Sequence, residues 1–222
     1  MRDYFLKFTL LSDATFGRGD GVAGLVDVEV QHDAYGLPYL GGRALKGLLG
    51  AECDDIVFAL EIARPNQPKW GQVAERLFGK SGAMLNGAAI LRVGPARLPT
   101  DLCKAIARDV HEERLTRADV LETLAALRRQ TAIDPITGAP ERETLRTMRI
   151  ILRETAFEAR LKFIQEPTED DLALLAATVK AFRRAGTERN RGRGRLVAEL
   201  YDASGQPVTE SYFEKFTEAV RV

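Results

Sequence analysis

The 222-residue sequence has few of the residues that build many catalytic and metal sites. It contains two histidines, His32 and His111, and two cysteines, Cys53 and Cys103, which lie far apart. The sequence therefore provides almost no residues from which to build a serine–histidine–aspartate triad, a two-histidine metal site or a disulfide framework. Cys103 and His111 are eight positions apart, an unusual spacing for zinc ligands, so we predict no zinc site.

The chain also lacks a long apolar run and a net charge. Its longest apolar stretch, residues 172–179, is far too short to cross a bilayer. Residues 1–7 contain an acid and a lysine where a secretory signal needs a basic start and an apolar run. These features predict a cytoplasmic protein with no membrane partner. Basic and acidic residues number 32 each, so the overall charge gives no reason to expect a nucleic-acid partner.

The type and position of the basic residues are more informative. Of the 32, 24 are arginines, whose planar guanidinium suits phosphates and base edges. Six of them lie between Arg183 and Arg195, in a segment that also contains Gly186, Gly192 and Gly194. Glycines let the backbone approach a phosphate, and peptide amides in such a loop can bind an anion. The segment therefore predicts a phosphodiester-binding loop, with a merely solvated arginine-rich loop as the alternative.

This loop does not match the common nucleotide-binding motifs. It lacks the Gly-Lys-Ser/Thr ending of a Walker loop, and its position after a helix is wrong for a dinucleotide fingerprint. Binding of nucleoside triphosphates or of NAD is therefore not expected from this segment.

Periodicity predicts a single α+β domain over residues 1–222. The order of the core elements is β-α-β-β-α-β, which is typical of a ferredoxin-like, RRM-like fold with a four-stranded antiparallel sheet. The predicted strands are 4–11, 88–93, 156–164 and 195–201, and the helices are 43–63, with a break near Gly50, 72–78, 169–185 and 210–220. Thr168 with Asp171 three residues later predicts a capped start for the helix at 169.

Three insertions are predicted in this core. Residues 12–42 contain a glycine-rich loop and a short strand at 25–31. Residues 100–129 have helical spacing, with a capped start at Thr116. Residues 130–155 contain turn sequences between arginine-rich flanks, which indicates a hairpin that leaves the domain.

The short strand provides the strongest candidate for a metal site. Val26, Val28 and Val30 occupy one face, so alternation places Asp27 and Glu29 side by side on the non-core face. Further polar residues, Asp13, Asp20, His32 and Asp33, lie close in sequence. Such a group could hold Mg²⁺ or another hard cation, which would polarise a phosphodiester. Exposed acids on an edge strand are, alternatively, often only solvating residues.

Four stretches taken together resemble the RAMP superfamily of CRISPR-associated proteins, specifically the repeated backbone subunit of type III RNA-guided effector complexes. The first stretch is residues 10–47, where a glycine-rich loop precedes Gly-Leu-Pro-Tyr-Leu-Gly-Gly-Arg-Ala-Leu-Lys-Gly. The others are Arg-Leu-Phe-Gly at 76–79, Thr-Ala-Ile-Asp-Pro-Ile-Thr-Gly-Ala at 131–139 and Arg-Gly-Arg-Gly at 191–194. The family's Pro-Gly-Ser-Ser is replaced here by Gly-Gly-Arg-Ala at 41–44, which removes two hydroxyls and leaves Arg43 as a substitute.

The resemblance implies that copies of the chain stack along a guide RNA together with other effector subunits. It implies that a thumb-like hairpin inserts between base-paired segments of guide and target RNA. The thumb residues expected from it are Ile133, Asp134, Ile136, Arg142 and Arg146. The residues expected to hold the RNA backbone, without reading its sequence, are Arg43, Lys46, Arg189, Arg191, Gly192, Arg193, Gly194 and Arg195.

The resemblance also implies a chemical role for one residue. Asp27 lies at the position of an aspartate that the cleaving members need for metal-dependent cutting of target RNA, so a divalent ion such as Mg²⁺ or Mn²⁺ is expected there. Three alternatives remain open. The chain could be a non-catalytic structural subunit, a metal-independent guide-RNA-processing endonuclease with His32 as general base, or a phosphate-binding or protein-interaction domain.

Overall fold

The computed structural model of the chain describes residues 3–21, 26–65, 69–79, 89–134, 136–139 and 144–221. Within these ranges, no helix is both long enough and apolar enough to cross a membrane. The helices and strands, in chain order, are β1 (Asp3–Leu10), α1 (Gly42–Ala63), α2 (Lys69–Phe78), β2 (Leu91–Val93), α3 (Thr100–His111), α4 (Arg117–Leu124), β3 (Ala125–Gln130), β4 (Arg146–Ile151), β5 (Ala156–Phe163), α5 (Glu169–Ala181), β6 (Leu196–Asp202) and α6 (Thr209–Arg221).

Four strands form the central sheet in the order β2-β5-β1-β6, and every neighbouring pair is antiparallel. Alternate residues of β1, from Tyr4 to Leu10, are buried, as a sheet with one core face requires. Phe8 stacks on Phe157 of β5 with ring centroids 5.3 Å apart. The predicted α+β class with a four-stranded antiparallel sheet is confirmed.

The opposite face of the sheet is polar. There Lys7 forms an ion pair with Glu158 at 3.1 Å and lies over the ring of Tyr201, 4.8 Å from its centroid. The ion pair and the ring of Tyr201 therefore occupy the middle of the open face.

The helix α5 forms the centre of the helical layer. Residues 171–179 of α5 are all buried, and the helix packs against α1, α2, α6 and β6. Its start has the predicted capping box, in which Thr168 and Asp171 bond reciprocally. The predicted break in α1 near Gly50 is wrong, because α1 continues without interruption from Gly42 to Ala63 with one face against the core.

The hairpin begins earlier than the sequence suggested. The capping box at Thr116 and Asp119 is present, but α4 ends at Leu124, and residues 125–130 pair with β4 as an antiparallel strand. The prediction of helix up to residue 129 is therefore wrong for these positions. Its local spacing was compatible with a helix, whereas the pairing depends on a strand about twenty residues away.

Residues 26–30 lie along the other edge of β4. The Asp27 amide donates to the Thr147 carbonyl at 2.7 Å, and the Arg149 amide donates to the Val28 carbonyl at 3.0 Å. A parallel bridge joins Val28 to Met148. This segment is therefore a short irregular addition to the hairpin rather than an independent strand.

Candidate nucleic-acid interface

The loop between α5 and β6 has an unusual backbone. Gly186, Glu188, Gly192 and Gly194 all have positive φ angles, between 56° and 93°. A Cβ atom on Gly194 would lie 1.8 Å from the carbonyl oxygen of Ala185, so only glycine fits there. The glycines predicted from the sequence therefore shape the loop, and two of them, Gly192 and Gly194, flank Arg193.

The loop is fixed to the segment that follows β1. The Gly194 amide donates to the Asp13 carbonyl and the Thr187 amide to the Thr15 carbonyl, both at 2.9 Å. The Ser12 hydroxyl accepts from the Arg195 amide at 3.0 Å. These contacts connect residues that are about 180 positions apart in the sequence. The conformation of the loop is therefore held by tertiary contacts as well as by its own glycines.

The loop arginines fall into two groups. Arg189, Arg191 and Arg195 are exposed, whereas Arg193 is 8% exposed and pairs with Glu188, at 3.1 Å between Nη1 and Oε2. The alternation of exposed and buried arginines was not visible in the sequence. Arg193 therefore stabilises the loop, and the exposed arginines remain available to a ligand.

Glu188 connects the loop to the hairpin. Its carboxylate accepts a hydrogen bond from the Gln130 side chain of β3 at 3.2 Å, in addition to the pair with Arg193. The Arg193 guanidinium also contacts the sulfur of Met148 on β4. The sequence analysis missed Glu188 and Gln130. The one usable signal was that Glu188 is the only acid among the arginines of the loop.

A cleft of about 700 Å³ lies where the hairpin, the loop and residues 26–30 meet. Arg146 comes from the hairpin and Arg191 from the loop, so two cations line the same space. The other lining residues are Val28, Gln130, Thr131, Ala132, Ile133, Thr144, Met148, Thr187 and Glu188. The hairpin and the glycine–arginine loop, which are distant in sequence, thus each contribute an arginine to one cleft that also contains hydroxyl and amide groups.

The tip of the hairpin exposes apolar side chains. Ile133 is 55% exposed and Ile136 is 92% exposed. Asp134 accepts the backbone amides of Ile136 and Thr137, and these bonds lower the pKa of its carboxyl group. Asp134 therefore shapes the turn that presents Ile136 to solvent. Arg142, predicted with these residues, lies outside the described part of the chain.

A second basic group lies at the start of α1. Gly42 approaches β2 so closely that a Cβ atom would meet the Val93 carbonyl oxygen at 2.4 Å. Arg43 is exposed and Lys46 is half-buried. Burial, and then the positive charge of Arg92, lower the pKa of Lys46. The structure thus adds Arg92 to the predicted pair, a residue that no sequence signal indicated.

Glu52 of α1 lies near arginines of the glycine–arginine loop, on the same helix as Arg43 and Lys46. Burial and the neighbouring Asp55 carboxylate raise the pKa of Glu52, whereas the guanidinium groups of Arg183 and Arg189 act in the opposite direction. Arg183 and Arg189 are therefore within electrostatic reach of the middle of α1. Lys46 precedes Glu52 by six residues, roughly 9 Å of helix.

Asp27 lies at the edge of the hairpin sheet, with its side chain exposed. Its Oδ2 accepts the Thr147 amide at 2.6 Å, while its own amide donates to the Thr147 carbonyl. Both backbone polar groups of Thr147 are therefore satisfied by Asp27. Among the described residues, Oδ1 of Asp27 has no hydrogen-bond partner.

Glu29 does not lie beside Asp27 on an exposed face, so this prediction is wrong. Glu29 is 2% exposed, and its carboxylate forms an ion pair with Arg149 of β4 at 2.9 Å. The alternating pattern put both acids on the non-core face. However, it could not show that the neighbouring strand carries a buried cation that pairs with one of them.

The predicted cluster of acids is also not formed. Within the described residues, no group of three or more histidine, cysteine or acidic side chains could hold a metal ion. Asp20 pairs with Arg18, Asp33 pairs with Arg97, and Asp13 accepts the Arg153 amide. Asp27 is therefore the candidate with a free carboxylate oxygen.

His32 lies apart from the residues that line the cleft. Its Nδ1 is 3.1 Å from Nη2 of Arg117, the first residue of α4, and 3.3 Å from the Asp33 carbonyl oxygen. The ring therefore contacts the insertion formed by α3 and α4 rather than the glycine–arginine loop.

Comparison with known proteins identifies the family. A family model described as the RAMP superfamily matches residues 7–197. A search of curated protein sequences found no match. One similar solved chain is from the cryo-EM structure of the type III-B Cmr-beta bound to cognate target RNA, with a TM-score of 0.61 and 11% identity, covering 95% of this chain and 98% of that chain.

A second similar chain is from the cryo-EM structure of type III-B Cmr-beta in the apo state. It has a TM-score of 0.60 and 13% identity, and covers 90% of this chain and 97% of that chain. At these identities the likeness demonstrates a common fold over nearly the whole chain. Since the family match spans most of the sequence, the chain belongs to the RAMP superfamily.

Proposed function

We propose that this chain is a guide-RNA-binding subunit of a type III CRISPR effector complex that also cuts complementary target RNA. The observation that carries the proposal is the cleft in which the hairpin and the glycine–arginine loop meet, with Arg146 and Arg191 in its lining. Membership of the RAMP superfamily and the fold shared with Cmr-beta chains support the same function. Its partners are guide RNA, target RNA, further copies of itself and other effector subunits.

The chemistry of the interface favours contact with the RNA backbone. Arg189, Arg191 and Arg195 are exposed on a loop whose backbone is fixed by tertiary contacts, so their side chains extend into solvent from defined positions. Guanidinium groups bind phosphates through bidentate hydrogen bonds. Arg43 and Lys46 extend the basic surface along α1, so that a strand could be held without reading its bases.

Arg193 has a different part in this proposal. Because it is buried against Glu188, it supports the conformation that presents Arg191. Gly192 and Gly194 allow the close backbone approach and the positive φ angles that the loop needs. The exposed Ile136 at the tip provides the apolar group that would insert between base-paired segments.

Asp27 is proposed as the residue that assists cleavage. Its free Oδ1 provides one oxygen ligand, and Mg²⁺ or Mn²⁺ commonly binds through one or two carboxylates together with substrate phosphates and water. The remaining ligands would come from the RNA, since the described residues provide no acid cluster. A divalent ion held there would supply Lewis-acid polarisation of the phosphodiester.

A second candidate is a structural subunit that binds RNA without cutting it. The observation that favours it is the hydrogen bond that Oδ2 of Asp27 accepts from the Thr147 amide, since this bond alone gives the aspartate side chain a structural role. In this case Asp27 fixes the edge of the hairpin and has no role in catalysis.

The experiment that tests RNA binding is a gel-shift titration of the purified protein against single-stranded RNAs of increasing length, at two salt concentrations. We expect discrete shifted bands whose number grows with RNA length and whose affinity falls as salt rises. Co-expression with a guide RNA repeats the measurement under loading conditions. Failure to bind RNA in both formats would contradict the proposal.

A further inference from the structure

No residue of helix α3 is fully buried, although a helix at a protein surface normally buries one apolar stripe against the core. Two of its apolar side chains, Cys103 and Ile106, pack at the edge of the core and are only half-buried. A cavity of about 410 Å³ lies between α3 and the open face of the central sheet. The helix therefore covers a space next to the sheet without filling it.

The cavity is lined by the sheet, by the loop that precedes α1, by the segment after β2 and by α3. Phe5 of β1 and Arg160 of β5 come from the sheet, Tyr35 comes from the loop, and Lys104 comes from α3. The volume lies within the range of about 300–1,000 Å³ that is typical of small-molecule sites. The described residues that line this cavity are all different from those that line the cleft at the hairpin. The cavity is therefore a separate candidate site.

Two aromatic rings in the wall of the cavity favour a flat ligand. The Tyr35 hydroxyl lies 3.2 Å from Nε2 of His111, and the two rings meet edge-on with centroids 5.7 Å apart, so Tyr35 is held in place. Phe5 is half-buried and has no ring or cation contact with the described residues. Leu37 and Ala107 add to the apolar part of the wall. An aromatic ring bound here would gain a ring partner in Phe5.

Both acids that line the cavity are already engaged. Asp33 pairs with Arg97 at 3.3 Å and also accepts two backbone amides of its own loop. Glu158 pairs with Lys7 at 3.1 Å. A cationic ligand would therefore have to displace an existing partner from either carboxylate.

One of the three cations that line the cavity has no counter-ion. Arg97 pairs with Asp33, and Arg160 pairs with Asp3. The ammonium group of Lys104 forms no hydrogen bond or ion pair within the described part of the chain. Lys104 therefore provides an unneutralised positive charge beside the apolar wall. Because its side chain is exposed, water screens this charge, and its contribution to the binding of an anion is modest.

We propose that this cavity binds a small molecule that consists of a flat aromatic ring and one anionic group. The ring packs against Phe5 and Tyr35, and the anionic group lies near Lys104. A nucleoside monophosphate and an aromatic carboxylate both have this chemistry. The proposal goes beyond the proposed function, because it concerns a different ligand at a different site.

Cys103 provides a reporter in the wall of the cavity. Its thiol donates to the Leu98 carbonyl at 3.3 Å, and a bound molecule would shield it from iodoacetamide. Cys53 is buried and serves as the internal control. The experiment measures the alkylation rate of Cys103 by mass spectrometry, with and without uridine monophosphate (UMP) or naphthoate. We expect saturable protection by one of these compounds or by both. Protection by neither at millimolar concentration would overturn the proposal.

The two probes also distinguish the sources of the ligand. Protection by UMP alone would assign the site to nucleotides, and protection by naphthoate alone would assign it to aromatic carboxylates. Uridine and naphthamide have the ring without the anionic group, and inorganic phosphate has the anionic group without the ring, so all three should protect more weakly. Equal protection by a neutral analogue and its charged counterpart would overturn the requirement for an anion.

Variants of α3 test the position of the ligand. Lys104→Ala should weaken binding by roughly three- to fivefold, and Ala107→Phe should abolish it by filling the cavity. Each variant is judged by the ratio of its alkylation rates with and without the probe, and circular dichroism verifies its fold. Arg108→Ala is the matched control, because Arg108 is an exposed cation of α3 outside the cavity lining. Unchanged binding in both Lys104→Ala and Ala107→Phe would overturn the proposal, as would an equal loss in Arg108→Ala.

A variant of the cleft separates this proposal from the proposed function. Arg191→Ala removes a cation from the cleft and should leave the protection of Cys103 unchanged. Lys104→Ala should leave RNA binding unchanged. Loss of protection in Arg191→Ala would place the probe in the cleft and overturn the proposal. Protection of Cys103 in a protein that binds no RNA would support the cavity and contradict only the proposed function.

Discussion

Glu29 and Arg149 form an ion pair inside the protein, with their side chains 3% and 9% exposed and Oε1 2.9 Å from Nε. The pair joins residues 26–30 to strand β4 and so fixes the edge of the hairpin sheet. The Thr15 hydroxyl donates to the Arg149 carbonyl at 3.0 Å. The hairpin, the segment with Asp27 and the loop after β1 are therefore held as one unit at this point.

Breaking this ion pair from one side will destabilise the protein. Glu29→Ala leaves a buried, unpaired guanidinium, and we expect a loss of about 3–5 kcal/mol in the free energy of unfolding. The double variant Glu29→Leu/Arg149→Met removes both charges and recovers most of that loss. Urea unfolding monitored by circular dichroism measures both values. A double variant as unstable as Glu29→Ala would show that the cost lies in packing rather than in the unpaired charge.

Two substitutions at Asp27 separate catalysis from structure. Asp27→Asn can keep the hydrogen bond from the Thr147 amide but loses the negative charge, whereas Asp27→Ala loses both. If Asp27 binds a metal ion, both variants abolish Mg²⁺-dependent cleavage of target RNA by the assembled complex, while Asp27→Asn keeps wild-type stability. Cleavage that survives in Asp27→Asn would assign Asp27 to the structural role.

The glycines of the loop differ in what they tolerate. Gly194→Ala places a Cβ atom against the Ala185 carbonyl at a φ of 65°, so we expect destabilisation by more than about 2 kcal/mol. Gly192→Ala has a φ of 82° but no atom within 4 Å, so we expect only the strain of about 1–2 kcal/mol. Thermal and urea unfolding compare the two. Equal losses would contradict the close approach at Gly194.

Neighbouring arginines of the loop should give opposite results. Arg191→Ala should lower RNA affinity and reduce the salt slope by about 0.7, with no loss of stability, because Arg191 is exposed. Arg193→Ala should lower stability, because Glu188 loses its main partner. Gel shifts and urea unfolding measure both effects. The control is Arg108→Ala, an exposed arginine on α3, which should change neither; reduced RNA affinity in it would indicate a non-specific charge effect.

The two cysteines should differ in reactivity. Burial raises the pKa of Cys53 from 9.0 to about 11, whereas Cys103 is only partly buried. At pH 8, iodoacetamide should modify Cys103 first and Cys53 only after unfolding. Because the folded pKa of Cys53 is raised, its contribution to stability is complete below about pH 9 and is lost as pH rises through about 11. Equal alkylation rates in the native protein would contradict the burial of Cys53.

Local patterns in the sequence determined much of the core. Alternation located β1 and β5, and the capping boxes at Thr116 and Thr168 located the starts of α4 and α5. These features depend on interactions within a few residues, which the sequence contains directly. The family motifs also indicated the hairpin and the glycine–arginine loop, which line a common cleft.

Pairing between distant residues was decided only by the tertiary structure. Residues 125–130 became a strand because β4 provides a partner, and Glu29 is buried because Arg149 lies opposite it. Arg193 and Arg191 are two positions apart in an arginine-rich run, yet one is buried against Glu188 and the other is exposed. The sequence by itself determined which residue types are present and the local helices and strands. Which charges are neutralised inside and which remain for a ligand depends on contacts that form only on folding.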